Sequence, residues 1–247
     1  MGRDLDRRCA DCRTRATGLL CGLSGRALDR LDRERGAHLY RRGQVIFTAG
    51  TPIDALYVIR SGRVKVYRTW HDGEEQVLRL LGPGEILGYR PIFAGEAPAG
   101  SAEAVVDSEI CVVPRATVLE LVRGDAELAL QLLAKLAREL RVSETIMMDL
   151  VRRPARQRVA RLLLALLEDN RGAPDPATIF SRELKRQDMA RMAGTTPETF
   201  SRVLRAIAQA GAVSLTRDRI RVRDEAVLRR IAGQRDLALL DHGQVRA

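Results

Sequence analysis

The side chains best suited to chemistry in this 247-residue chain are its four cysteines: Cys9, Cys12 and Cys21 within the first 23 residues, and Cys111 far downstream. A thiolate is both a metal ligand and a nucleophile, so four thiols point to metal binding or redox work. Taken as residues alone they leave several chemistries open. Four cysteines can hold zinc tetrahedrally, the arm thiols can serve as unliganded redox sensors, and Cys111 in an apolar strand also fits a plain core residue. A cysteine-dependent oxidoreductase built on Cys9-x-x-Cys12 is the enzyme alternative, but that pair lies in a polar, Arg-rich arm and not between a strand and a helix. The chain carries no phosphate-cradling glycine loop, no HExxH motif and no nucleophile elbow. Its first residues, MGRDLDRRCADCRTR, lack an apolar targeting core, and no run approaches transmembrane length. The expectation is a cytoplasmic protein with no membrane partner, a reducing setting in which structural disulfides are disfavoured.

A second chemically loaded stretch runs from Lys185 to Gln209. Thr196 is placed to cap a helix whose first residue, Pro197, needs no amide donor. Phe200, Val203, Leu204 and Ile207 then fall on one helical face, and Glu198, Ser201, Arg202 and Arg205 on the other. Upstream, Arg186 to Ala193 reads as a shorter helix, with Met189, Met192 and small alanines for close packing and Gly194 for the turn. The polar face suits base edges in double-stranded DNA: arginine bonds guanine O6 and N7, glutamate accepts from cytosine N4, and serine serves either role. An ordinary charged surface helix is the plainer alternative.

Charge supports the nucleic-acid reading. The formal net charge is +10, and residues 151–223 hold 16 Lys and Arg against 7 Asp and Glu, a surplus of 9 that leaves +1 for the rest. A basic footprint confined to the segment with the helix pair is what a polyanion partner requires.

These two stretches need elements to position them. From His38 to about Val113, short β-type runs alternate with turns at Arg42-Gly43, Ser61-Gly62, Asp72-Gly73 and Gly82-Pro83-Gly84, the texture of a small β-roll. A helical texture resumes near Asp125. Leu133, Leu136, Leu140, Ser143, Met147 and Leu150 step by three and four residues, a heptad seam that wants a partner helix, while Leu128, Leu130, Leu132 and Ile146 form a second flank. One flank is expected on the roll and the other against a second copy, giving a homodimer. Arg152-Arg153-Pro154 breaks that helix, and Val159, Leu162, Leu163 and Leu166 give the next one a core face. After Gly211, AVSLTRDRIRV reads as a hairpin that turns at Arg217-Asp218, a wing whose Arg217, Arg219 and Arg221 can meet phosphates. The domain expectation is an arm at 1–23, a roll at 24–123, a dimerisation helix at 124–151 and a winged helix-turn-helix at 152–247.

In this order of parts the chain resembles the Crp/Fnr family of bacterial transcription regulators over nearly its whole length. Gly84-Glu85-Ile86-Leu87-Gly88 is similar to the family's roll signature, Ser61-Gly62 and Asp72-Gly73 fall at its turns, and Pro197-Glu198-Thr199-Phe200-Ser201-Arg202 matches its recognition helix. The resemblance implies an α+β fold: an N-terminal double-stranded β-helix, or jelly roll, of the cyclic-nucleotide-binding type, then the long helix and the winged helix-turn-helix. It further implies that Glu198, Ser201 and Arg202, supported by Thr196, Arg205 and Arg186, read a half-site of the TTGAT type found in the Fnr branch. Cyclic AMP is disfavoured as the signal, since Pro98 to Ala104, which matches the family's phosphate-binding loop, contains no arginine. The cysteines are similar to those of Fnr-type oxygen sensors, which implies a [4Fe-4S] cluster on Cys9, Cys12, Cys21 and Cys111, offset in charge by Arg7, Arg8, Arg13 and Arg15. The eight residues between Cys12 and Cys21 exceed the gap in the best-known members. A redox-thiol, nitric oxide or other small-effector signal without a cluster is the alternative. The tip His71, Asp72, Gly73 and Glu74, within Trp70 to Gln76, is similar to a family surface that contacts RNA polymerase, and equally to a solvated hairpin tip.

Overall fold

The computed structural model describes residues 8–15, 18–169, 177–180, 185–216 and 219–233, with Cys21, Asp169 and Phe180 described by their backbone alone. The architecture is mixed α+β, and it divides into two compact units that part between Ala137 and Arg138.

In the first unit, a three-residue 3-10 turn, Cys9–Asp11, and a second one, Leu20–Gly22, precede α1 (Gly25–Glu34). Eight strands follow: β1 (Gly36–Tyr40), β2 (Val45–Phe47), β3 (Ala55–Ser61), β4 (Val64–Thr69), β5 (Glu75–Leu81), β6 (Ile86–Leu87), β7 (Ser101–Ala104) and β8 (Ser108–Pro114). The short helix α2 (Tyr89–Ala94) lies between β6 and β7. The strands form two antiparallel four-stranded sheets, ordered β1-β8-β3-β6 and β2-β7-β4-β5. Ile59, Leu87 and Ile110 of the first sheet meet Val64, Leu81 and Ala102 of the second, and this apolar filling closes the jelly roll. Because side chains alternate along a strand, Cys111 and Val113 point away from that filling, as do Leu56 and Val58 on β3. They join a second apolar cluster on the outside of the first sheet.

That outer cluster is covered by helices. α3 (Arg115–Gly124) follows β8 directly and contributes Val118 and Leu121, and the long α4 (Ala126–Arg152) adds Leu128 and Leu132. Cys9, Leu20, Leu23 and Leu31 from the arm and α1, with Tyr89 and Ile92 from α2, complete it. The helical texture therefore starts at Arg115, ten residues earlier than the sequence pattern suggests; the boundary is hidden because β8 runs straight into α3 with Pro114 as the junction.

The second unit contains the end of α4, then α5 (Ala155–Asp169), β9 (Thr178–Phe180), α6 (Arg186–Met192), α7 (Pro197–Gln209), β10 (Val213–Leu215), β11 (Arg219–Val222) and α8 (Glu225–Ala232). Its core is made by Val159, Leu163, Leu166, Met189, Phe200, Leu204, Ile207, Ile220 and Leu228. The wing has one strand more than the hairpin expected: β11 pairs with β10 on one edge and with β9 on the other.

Gly62, at φ +92, makes the β3–β4 turn close against Ser108, and a Cβ there would lie 2.2 Å from Ser108 Oγ and 2.6 Å from its Cα. Replacing Gly62 with alanine combines left-handed strain with a backbone clash and is expected to cost at least about 1 to 3 kcal/mol. Urea unfolding reads this directly; an unchanged midpoint would show that the turn relaxes freely.

Candidate metal centre and nucleic-acid interface

Three of the four cysteines, distant in sequence, line one pocket. Cys9 and Cys12 from the arm and Cys111 from β8 share it with Thr14, Leu20, Leu31, Arg35, Val58, Arg60 and Val113. The backbone of Cys21 lies in the turn beside Leu20, while its side chain lies outside the described residues. Strand register explains the position of Cys111. It pairs with Val58 on one side and Ala37 on the other, and Arg60, at the register shift between Ile59 and Ser61 on β3, lines the same pocket.

The sulfurs face arginines. Arg35 Nε donates to Cys9 Sγ at 3.0 Å, and its Nη1 lies 3.7 Å from Cys111 Sγ. Cys12 Sγ is 3.2 Å from Thr14 Oγ1. Asp32 anchors both the cation and the arm: it accepts from Arg35 Nη2 at 3.0 Å and from the Cys9 amide at 2.9 Å. Of the arm arginines expected to offset thiolate charge, Arg8 bonds Asp32 at 3.4 Å and Arg7 lies outside the described residues. The cations at the sulfurs are Arg35 and Arg60, which no sequence pattern singles out because they stand at the end of α1 and on β3, away from any cysteine in the chain.

Local electrostatics separates the three thiols. Burial pushes Cys9 up to about 12, against the charge of Arg35. Burial also raises Cys111, although Arg35 and Arg60 pull the other way. For Cys12 burial again favours the thiol, yet the Thr14 bonds and the Arg60 charge outweigh it and hold Cys12 below its ordinary value. Among the described residues that line it, the metal-ligating side chains are cysteines, with no histidine or carboxylate. An all-thiolate set with positive charge close by is the chemistry that iron-sulfur clusters use, and also the chemistry of zinc held by four cysteines. Among the described residues, no three His, Cys, Asp or Glu side chains converge closely enough to hold a single metal ion.

The helix pair forms as its residues dictate. Thr196 Oγ1 accepts from the Thr199 amide at 3.3 Å, and Pro197 opens α7. Phe200, Leu204 and Ile207 are fully buried, whereas Glu198, Arg202 and Arg205 are exposed and Ser201 is half-buried beside them. Arg186 and Thr196 are exposed as well. Gly194 turns the chain at φ +62, where a Cβ would come within 2.2 Å of Leu150 Cδ2. One residue that the sequence pattern does not mark holds this turn: Arg158 donates to the Ala193 carbonyl at 2.9 Å, the Gly194 carbonyl at 2.8 Å and the Arg153 carbonyl at 2.6 Å. Arg161, 5% exposed, pairs with Asp149 at 2.7 Å. The end of α4, the start of α5 and the helix-turn-helix turn are thus tied by arginines. Arg219 and Arg221 face solvent on the wing, and Arg217 lies outside the described residues.

Along α4, Leu133, Leu140, Met147 and Leu150 of the heptad seam are exposed, as is Ser143. Leu128 and Leu132 are buried on the roll, and Leu136, counted in the seam, also packs against that cluster. The β4–β5 hairpin tip presents His71, Asp72, Gly73 and Glu74 to solvent; the Trp70 amide closes it by donating to the Glu74 carbonyl at 2.8 Å.

Comparison with known proteins follows this division. The family model described as cyclic nucleotide-binding domain matches residues 37–125, and the one described as Crp-like helix-turn-helix domain matches 157–231. The cyclic AMP receptor protein of Thermus thermophilus is 39% identical over 194 residues, covering 78% of this chain and 87% of that protein. The chain belongs to the Crp/Fnr family of transcription regulators. Members of this family bind DNA as dimers. The fumarate and nitrate reduction regulatory protein of Escherichia coli is 27% identical over 227 residues, 91% of this chain and 90% of that one. The structure of FixK2 from Bradyrhizobium japonicum matches with a TM-score of 0.71 at 27% identity, covering 80% of this chain and 96% of that chain. Among the described residues no helix is long and apolar enough to cross a membrane.

The thiol ranking can be read without DNA or metal. A lowered pKa means more thiolate at a given pH, and a raised one means less. In reduced, metal-stripped protein near pH 8, iodoacetamide should therefore modify Cys12 before Cys9 and Cys111, as followed by peptide mass spectrometry. Faster modification of Cys9 or Cys111 would contradict the electrostatic picture.

Proposed function

We propose that this Crp/Fnr regulator senses oxygen through a [4Fe-4S] cluster held by Cys9, Cys12, Cys21 and Cys111, and binds a TTGAT-type palindrome as a homodimer. The observation that carries the reading is the convergence of Cys9, Cys12 and Cys111 in one pocket with two arginines. When bound, the cluster would supply an oxygen-labile group that ties four thiolates together. The chain's own residues give that tie a consequence. Cys9 and Cys111 belong to the same apolar cluster as Leu128 and Leu132, so an arm docked on β8 stabilises the base of α4. The exposed flank Leu133, Leu140, Met147 and Leu150, continued by Ser143 and half-buried Leu136, pairs with a second copy. Pairing spaces two recognition helices for successive major grooves, about 34 Å apart. Loss of the cluster would break the tie among the four thiols and leave the arm held by its side-chain contacts alone, a weaker support for α4; the tie must favour one state over the other to act as a switch.

In this reading residues 1–23 form the sensing arm, 24–123 the roll, 124–151 the dimerisation helix and 152–247 the DNA-binding domain. Glu198, Ser201 and Arg202 read bases, with Thr196, Arg205 and Arg186 at the DNA backbone or flanking positions. The tip His71-Asp72-Gly73-Glu74 meets RNA polymerase, and the protein works in the cytoplasm.

One observation favours a second reading. The 39% identical relative is named a cyclic AMP receptor protein, and the matched domain is of the cyclic nucleotide-binding type. Against that ligand stands the stretch Pro98–Ala104, which holds no cation; within it Ser101 is spent on the Ala49 amide at 3.0 Å and Glu103 on Lys65 at 3.2 Å. Calorimetry with cyclic AMP separates the two: saturable binding in the micromolar range or tighter would support the nucleotide reading.

Protein purified without air should be brown and contain about four iron and four sulfide per chain. Colourless protein with zinc, or with no metal and undiminished DNA binding in air, would refute the oxygen-sensor reading. For base reading, Arg202→Ala should weaken binding by roughly 1 to 3 kcal/mol and relax preference at one base pair. Equal loss on every sequence would assign Arg202 to phosphate.

A further inference from the structure

The arm is too short to hold its own shape. Residues 8–15 contain one 3-10 turn of three residues, stabilised locally by Asp11 N to Arg8 O at 3.1 Å, Cys12 N to Cys9 O at 3.3 Å and Arg15 N to Cys12 O at 3.1 Å. Turns of this length are unstable in isolation, since nucleation fixes many torsions for few bonds. What holds this one in place lies more than twenty residues away. Asp32 takes the Cys9 amide on Oδ1 and Arg8 Nε on Oδ2, while Arg35 Nε donates to Cys9 Sγ. The same guanidinium extends Nη1 toward Cys111 Sγ, and Asp32 holds it from the other side. Arg35 is 7% exposed and Asp32 18%, so water does little to weaken the bonds of Arg35 and the Cys9 amide, whereas the 3.4 Å contact from exposed Arg8 adds little.

We propose that Asp32 and Arg35 form a latch that docks the arm on the roll, presenting Cys9 beside Cys111 before any metal arrives and retaining the metal afterwards. The docking stands on the contacts above; the retention rests on the thiolate-cluster reading. Three features of the pair fit the task. Asp32 reads the arm's backbone, so it fixes the Cys9 main chain as well as its side chain. Arg35 is charged at every accessible pH and is a planar fork, able to face two sulfurs and a carboxylate at once, which an ammonium is not. N–H donors to metal-bound sulfur delocalise its charge and are among the levers that set cluster potential. Both residues are positioning residues: neither has a free place in the ligand set.

Hydrogen exchange in the full-length, reduced, metal-stripped chain tests the docking. Asp32→Ala and Arg35→Met should speed exchange of amides in residues 8–15 about tenfold or more, while β3 and β8 keep their protection. Arm exchange as slow as in the parent protein would overturn the latch. Arg35→Lys covers the case in which Arg35→Met fails to fold: it keeps the charge, loses the fork, and should still free the arm; an arm protected as in the parent would overturn the role of the fork. Retention is read separately, on protein reconstituted anaerobically with ferrous iron and sulfide, as the rate of iron loss to a ferrous chelator without air. The Asp32 and Arg35 variants should lose iron on the order of 10- to 100-fold faster, the range for residues that orient metal ligands. Equal rates would overturn the retention half. A parent chain that takes up no iron while its variants show a freed arm would remove the cluster reading and leave the docking standing.

Discussion

A guanidinium buried in an apolar cluster is stable only when its donors are met, and Arg35 meets Asp32 and the sulfurs of Cys9 and Cys111. Much of the first unit is arranged around that requirement. α1 must end where it does for Arg35 to point inward, three residues after Asp32. β8 must pair with β3 in its observed register so that Cys111 faces outward with Val58 beside it. The arm must fold back over both. Charge, sulfur and apolar packing meet there, which joins Cys9 to the base of α4 through one shared cluster.

The same logic of arginine as a tie recurs in the DNA-binding unit. Arg158 spans three carbonyls, two of them at the end of α6 where helical acceptors lack partners. Asp149 accepts from Arg153 and from the buried Arg161, so the last turns of the long helix are fastened to α5. These bonds join the end of α4 to the turn that precedes α7. The scarcity of lysine in this chain fits such uses, because a fork satisfies several acceptors that a point charge does not.

Periodicity makes the helix-turn-helix, the heptad seam and the roll's turns legible in the sequence, because those patterns are local: Thr196, Pro197 and the Phe200–Leu204–Ile207 face need only their own helix to be understood. α2 and α3 are hidden for the converse reason. α2 has only six residues, and α3 leaves β8 without a spacer. β9 goes unread in the sequence since three residues give no measurable alternation. The cysteines announce a thiol site by type, yet its real electrostatic partners do not. Arg35 and Arg60 look like ordinary charges in a chain with 42 Lys and Arg, and only sheet register and the end of α1 bring them to the sulfurs.

In the proposed function, the thiol pocket of the first unit governs pairing along α4. Sedimentation equilibrium of the intact protein, first without air and then after exposure to it, tests this most directly, with Cys111→Ser as the comparison. The expected result is a dimer without air, a shift to monomer in air, and monomer throughout for Cys111→Ser. A parent protein with the same dimer affinity in both conditions, or a Cys111→Ser variant that dimerises as the parent does without air, would contradict it.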